Sequence, residues 1–206
     1  MARVLSRPAS RRGTAFLLVL CLSAALWADG SSSYSEGERL FRENKPSEAA
    51  AALETAVLDP DVDERAWLYL AASYEQQKRY DEALGVLRKG LSKASRYRHL
   101  FYFDMGNLFA LQGKNAFAEE MYGEAIKAED EYAVAYLNRA NVRMALKNYD
   151  GASADYRLYL ARDPSSSQRA SIERLLELLG ADMWANLLAS CTAFILCRLY
   201  TSIQPY

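Results

Sequence analysis

The chain has 206 residues, 51% of them hydrophobic and 25% charged, which is enough apolar matter to bury a core and excludes a disordered polar tail. Its formal charge is −1, yet the first 28 residues hold four arginines (Arg3, Arg7, Arg11, Arg12) and no acid, so the remainder is the more acidic part and offers no basic footprint for nucleic acid. Three cysteines (Cys21, Cys191, Cys197) and one histidine (His99) form no metal-ligand cluster, so neither a metal nor a cofactor is expected.

Residues 1–28 read as an export signal. The arginines precede an apolar run from Ala15 to Leu26, and small residues follow that suit a signal peptidase, with cleavage after Ser23-Ala24-Ala25 or after Ala28. Left uncleaved, the same segment would be a signal anchor, although the run falls short of the about 20 residues that a span needs. On either reading the body is delivered outside the cytoplasm, to the periplasm or cell envelope.

From Ser33 to Pro164 apolar residues fall three and four apart, and Gly, Pro and Asp mark the breaks, which predicts helices throughout. Small residues recur at Gly37, Ala71, Gly106 and Ala140, and again at Ala49, Ala83, Ala118 and Ala152, at steps of 34, 35 and 34 in both sets. A period of that length marks stacked repeats. In the second unit Trp67, Leu70, Ala71 and Tyr74 share one stripe, a polar Gln76-Gln77-Lys78-Arg79 turn follows, and Ala83, Leu87 and Gly90 share a stripe on a second helix. Two short helices joined by a few residues lie antiparallel, so each unit is a helical hairpin. Its helices are expected to cross closely at Ala71 and Ala83, with Trp67, Tyr74 and Leu87 filling the flanking grooves.

These residues resemble the tetratricopeptide repeat, whose pattern is W-x2-L-G-x2-Y, then A-x3-F, a small residue and P. The second unit matches at Trp67, Leu70, Ala71, Tyr74, Ala83, Leu87 and Gly90, and the third at Tyr102, Met105, Gly106, Phe109, Ala118, Tyr122 and Ala125. The fourth matches at Tyr136, Ala140, Tyr149, Ala152, Tyr156 and Pro164. It departs at Arg143, where an aromatic is usual, and at Tyr159, where a small residue is usual. Tyr159 therefore predicts that its helix faces something other than a further repeat. The first unit keeps Gly37, Leu40, Ala49, Leu53 and Ala56 but has Ser33 at its aromatic start, so it is degenerate. The resemblance implies an all-α fold: a right-handed superhelical α-solenoid of stacked helix-turn-helix hairpins over 30–164, with units at 30–63, 64–98, 99–132 and 133–166.

After Pro164, the run Ser165-Ser166-Ser167 is suited to cap a helix from about Gln168 to Leu179. Its Ile172, Leu175, Leu176 and Leu179 form one apolar stripe, so residues 167–180 are expected to act as a capping helix. Residues 181–206 form an apolar tail. No residue from Met183 to Cys197 is charged, but the run is short for a span and Asn186, Ser190 and Thr192 dilute it. It is a last helix packed on the solenoid, a membrane-associated segment over 183–200 with Arg198 snorkelling at the interface, or an anomalous end of the sequence.

The resemblance also implies where a partner binds. The first helix of each hairpin lines the concave side, and the family's groove positions fall on Tyr34, Glu38 and Phe41, on Arg65, Leu68 and Glu75, on Phe103 and Asn107, and on Asn138, Asn141 and Met144. Aromatic rings supply contact area, and Asn can meet both the N–H and the C=O of an extended peptide. The candidate partner-binding residues are therefore Tyr34, Phe41, Leu68, Phe103, Asn107, Asn138 and Asn141. Asn107 and Asn138 stand where related proteins hold a peptide backbone. The basic residues of the family's carboxylate clamp are missing, since its fifth positions hold Tyr34, Leu68, Phe103 and Leu137, so capture of an acidic C-terminal peptide is not expected. Nothing advertises catalysis: His99 has no evident nucleophile, Gly106 and Gly113 belong to the repeat rather than to a phosphate loop, and Glu119-Glu120 reads as a solvated helix face. The expected function is that of a non-enzymatic scaffold or adaptor for a peptide or protein partner, with an envelope assembly component tethered by the tail as the alternative.

Overall fold

The computed structural model describes residues 31–180. The signal-like segment 1–28 and the tail 181–206, with its membrane expectation, lie outside the described residues. Among the described residues every regular element is a helix: α1 (31–42), α2 (Pro46–Ala56), α3 (Arg65–Gln76), α4 (Tyr80–Leu91), α5 (Arg98–Leu111), α6 (Asn115–Ala128), α7 (Ala133–Ala145), α8 (Tyr149–Arg162) and α9 (169–180). None of these is long and apolar enough to cross a membrane. The fold is all-α and built of helical hairpins, in two compact units that divide between Tyr97 and Arg98. The first holds α1–α4 and the second α5–α9.

One device reverses the chain four times. Asn44, Lys78, Gly113 and Lys147 all adopt the left-handed conformation, with φ of 60°, 60°, 72° and 61°. The N–H of the next residue then reaches back to the last turn of the helix: Lys45 to Leu40 at 3.0 Å, Arg79 to Tyr74 at 2.9 Å, Lys114 to Phe109 at 2.9 Å and Asn148 to Arg143 at 2.8 Å. This is the Schellman closure, which satisfies carbonyls that the helix end would leave unpaired. Only Gly113 escapes the clash of Cβ with the following carbonyl; the two lysines bear it.

Packing within a hairpin follows from the small residues. Ala49, Ala83, Ala118 and Ala152 are fully buried. A Cβ added at Gly37 would stand 2.5 Å from Leu53 Cγ, and one at Gly106 would stand 2.6 Å from Tyr122 Cε1. The small residue of the first helix therefore seats a large side chain sixteen residues on, which adds to the expected meeting of Ala71 with Ala83. The first unit buries Trp67, Leu70, Tyr74, Leu84 and Leu87. The second buries Phe101, Met105, Leu108, Tyr122, Tyr136 and Tyr156.

Two polar side chains fix the ends of these cores. In the first unit the Glu64 carboxylate accepts hydrogen bonds from the backbone N–H of Ser95 (2.8 Å), Arg96 (3.3 Å) and Tyr97 (3.1 Å) and from Ser95 Oγ (2.7 Å). Burial works to raise its carboxyl, but these donors outweigh burial and hold it below the ordinary range. In the second unit Tyr159 and Leu160 pack with Ile172, Leu175 and Leu176 of α9. The Tyr159 hydroxyl lies 2.6 Å from Ser166 Oγ, which in turn accepts the Gln168 N–H at 3.1 Å. Arg169 donates to the Leu160 carbonyl at 2.8 Å and to that of Pro164 at 3.0 Å. The large residue at 159 thus faces α9.

Candidate partner-binding faces

In the second unit two hydrogen bonds converge on one atom. Asn107 Oδ1 on α5 accepts from the Tyr122 hydroxyl at 2.8 Å and from Asn138 Nδ2 on α7 at 3.0 Å. Asn141, one turn along α7, repeats half of this by accepting from the Tyr156 hydroxyl at 2.7 Å. Burial raises that phenol above its ordinary value. The amides are therefore ordered by the hairpin beneath them. With Oδ1 of Asn107 committed, its Nδ2 remains a donor, and Asn138 Oδ1 beside it remains an acceptor, the pair that a peptide group's C=O and N–H require.

Phe103 stands next to this pair in the sequence register and packs at 5.7 Å from the Tyr122 ring and edge-on at 5.1 Å from Tyr132. His99 packs edge-on at 5.2 Å against the same Tyr132, which gives the single histidine a packing role. Burial first, and then the charge of Asp104, raise the Tyr132 phenol. Met144 lies half-buried against the α7–α8 core.

The first unit brings Tyr34 and Phe41 of α1 onto Tyr69 of α3, at 6.3 Å and 5.4 Å between centroids. Tyr69 also donates to Glu38 Oε1 at 3.2 Å. Sequence reasoning passed over Tyr69; its place as the sixth residue of the second unit was the available sign. The Tyr34 hydroxyl is buried without a hydrogen bond, and burial pushes it up to about 12. Leu68 is half-buried on α3. Arg65 is engaged by Asp63, through Nη2–Oδ2 at 2.8 Å and Nε–Oδ1 at 3.0 Å. The seven candidates thus fall into two groups, Tyr34, Phe41 and Leu68 in one unit and Phe103, Asn107, Asn138 and Asn141 in the other. Among the latter, Asn107 and Asn138 touch directly.

Arg143, the departure from the repeat pattern, belongs to an ion network. It reaches Asp155 Oδ2 at 2.8 Å and Glu119 Oε1 at 2.7 Å, while Arg139 grips Asp155 with two bonds at 2.7 and 2.8 Å. Glu119 is consequently part of the fold's interior wiring, and the reading of Glu119-Glu120 as a solvated face holds for Glu120 alone. Burial opposes the Arg139 charge, but the Asp155 carboxylate reverses this and leaves the guanidinium raised. Among the described residues no group of His, Cys, Asp and Glu is arranged to hold a metal.

Comparison with known proteins places these faces in a family. The family model described as "Tetratricopeptide repeat" matches residues 34–97 and 103–167. The RNA polymerase II-associated protein 3 of Xenopus laevis is 33% identical over 94 residues, which is 46% of this chain and 14% of that protein, so this chain corresponds to a small part of that relative. A solved structure of the first TPR of Spaghetti (RPAP3), bound to the HSP90 peptide SRMEEVD, is 26% identical with a TM-score of 0.50, covering 59% of this chain and 96% of its own. MamA 41-end from Desulfovibrio magneticus RS-1 superposes with a TM-score of 0.64 at 14% identity, covering 86% of this chain and 98% of its own, a similarity of fold.

Proposed function

The chain belongs to the tetratricopeptide-repeat family, and from that premise we propose that it is a non-enzymatic adaptor holding a peptide or protein segment on the first-helix faces of its hairpins. The observation that carries this reading is the Asn107 amide, oriented by Tyr122 and Asn138 before any partner arrives. A group already ordered by the fold loses little freedom on binding, so less of its interaction is spent on ordering it. Phe103 adds apolar contact beside it. The RPAP3 repeat binds an acidic peptide; here Phe103 and Leu137 stand at positions where a clamp would need cations, so the segment we propose is of another chemistry.

Affinity capture from the native source, with the full chain beside a Phe103→Ala/Asn107→Ala variant, tests the assignment. The variant should lose the partners that the wild type retains. Equal recovery by both would remove this face from the binding surface.

The proposal includes action outside the cytoplasm, on the strength of the arginines that precede the Ala15–Leu26 run. N-terminal sequencing of the cellular protein should find a start at Leu26 or Asp29; Met1 retained in a cytoplasmic fraction refutes export. A second reading, an envelope assembly component tethered through 183–200, draws on the uncharged run Met183–Cys197. Carbonate extraction of membranes, with and without residues 181–206, separates the two: release of the full-length protein counts against the tether.

A further inference from the structure

The two units offer different chemistry at equivalent places. Where the second carries Asn107 and Asn141, the first hairpin carries Glu38. Tyr69 donates to its carboxylate at 3.2 Å, and the rings of Tyr34 and Phe41 pack on Tyr69. The counter-ion of Glu38 is Arg42, four residues along the same helix at 2.6 Å, with its side chain 71% exposed against 24% for Glu38. With Arg42 out in solvent this pair within one helix is largely screened, so a cation from outside can take its place. Glu75 on α3 is a second carboxylate on the groove positions. It is half-buried, and burial raises its carboxyl above the usual carboxylate range. Arg65, the nearest groove cation on α3, is occupied by Asp63.

This face therefore sets an acid against Tyr69 with two further rings packed on it, a second acid stands at a groove position of α3, and the cations Arg42 and Arg65 are out in solvent or engaged. Aromatic faces attract cations through the ring quadrupole, and a carboxylate adds charge-assisted hydrogen bonds. An acidic segment would meet like charge here. We propose that the α1–α3 face takes a lysine or arginine side chain of an extended partner segment, its head group at Glu38, its stem on Phe41 and Tyr69, and Glu75 supplying the second negative charge. This rests on the peptide-binding reading above and names the chemistry that the first unit contributes to it.

Selection of a random peptide library on the full chain tests the idea, alongside the isosteric Glu38→Gln/Glu75→Gln variant. Wild-type selection should enrich Lys or Arg at one fixed register, and the double variant should lose that preference and bind a wild-type-selected peptide about tenfold more weakly. Selected peptides without a positional basic residue, or undiminished binding by the variant, overturn the assignment while leaving peptide binding intact. Enrichment of no peptide by the wild type refutes the peptide-binding reading, and the present one with it. If the variant loses cooperative unfolding, salt decides: a wild-type affinity for the basic peptide that does not fall as ionic strength rises overturns the proposal.

Discussion

Arg143 on α7 meets Asp155 on α8 at 2.8 Å, and the carboxylate it shares with Arg139 is only 1% exposed. A charge removed this far from water is tolerated because two guanidinium groups face it. An aromatic at 143, the family's usual residue, would leave Asp155 with Arg139 alone and strip Glu119 of its partner. Arg143 and Asp155 therefore depend on one another.

Asp155→Ala should cost about 3–5 kcal/mol, since it leaves two partly buried cations facing each other. Arg143→Phe should also destabilise, and the two losses should add to more than the double variant shows. Urea denaturation of the four proteins in the cycle measures this.

Gly106 and Gly85 predict opposite responses to the same change. A methyl at Gly106 would press into the Tyr122 ring at 2.6 and 2.7 Å, so Gly106→Ala should cost about 1–3 kcal/mol. At Gly85, inside α4, a Cβ would meet nothing within 4 Å, so Gly85→Ala should gain about 0.5–1 kcal/mol. Thermal unfolding of the two variants checks both signs.

Lys78→Gly and Lys147→Gly should each stabilise the chain by about 1 kcal/mol, because both lysines hold φ near 60°. Gly113→Ala should lose a comparable amount. A loss on replacing either lysine would mean that its side chain makes contacts outweighing the backbone strain.

Alkaline pH should unfold the protein early. Burial pushes the phenols of Tyr34 and Tyr74 up to about 12, from an ordinary 10.0, with a hydrogen bond to Glu54 adding to the latter. A raised folded value means that the native state holds the proton more tightly, so this contribution is complete below pH 10 and is lost as pH rises through about 12. Stability measured by denaturant between pH 8 and 12 should fall in that window, and tyrosinate absorbance should lag behind that of free tyrosine.

The hairpins were readable because their period rests on residue size: Gly37, Ala71, Gly106 and Ala140 recur wherever backbone meets side chain. Turn chemistry was less so. Gly113 marks its turn openly, whereas Lys78 and Lys147 adopt the same conformation without any local preference for it, under the pull of the helices on either side. At the binding faces, residue type pointed to Asn107 and Asn138 but not to their orientation, which depends on a tyrosine from the second helix of the hairpin. Tyr69 escaped notice because an aromatic on a helix reads equally as core. The network of Arg143 joins Glu119, Asp155 and Arg139 across three helices, a coincidence in space that linear spacing does not reveal.

Tyr159 has a consequence for what can pack on α8. At the matching repeat position of the earlier second helices stand small residues, Ala56, Gly90 and Ala125. Tyr159 puts a ring at that position and ties its hydroxyl to the turn that begins α9. A hairpin spliced in after Pro164 would have to displace α9 from Tyr159 and Leu160 and break the Arg169–Leu160 hydrogen bond before it could pack there.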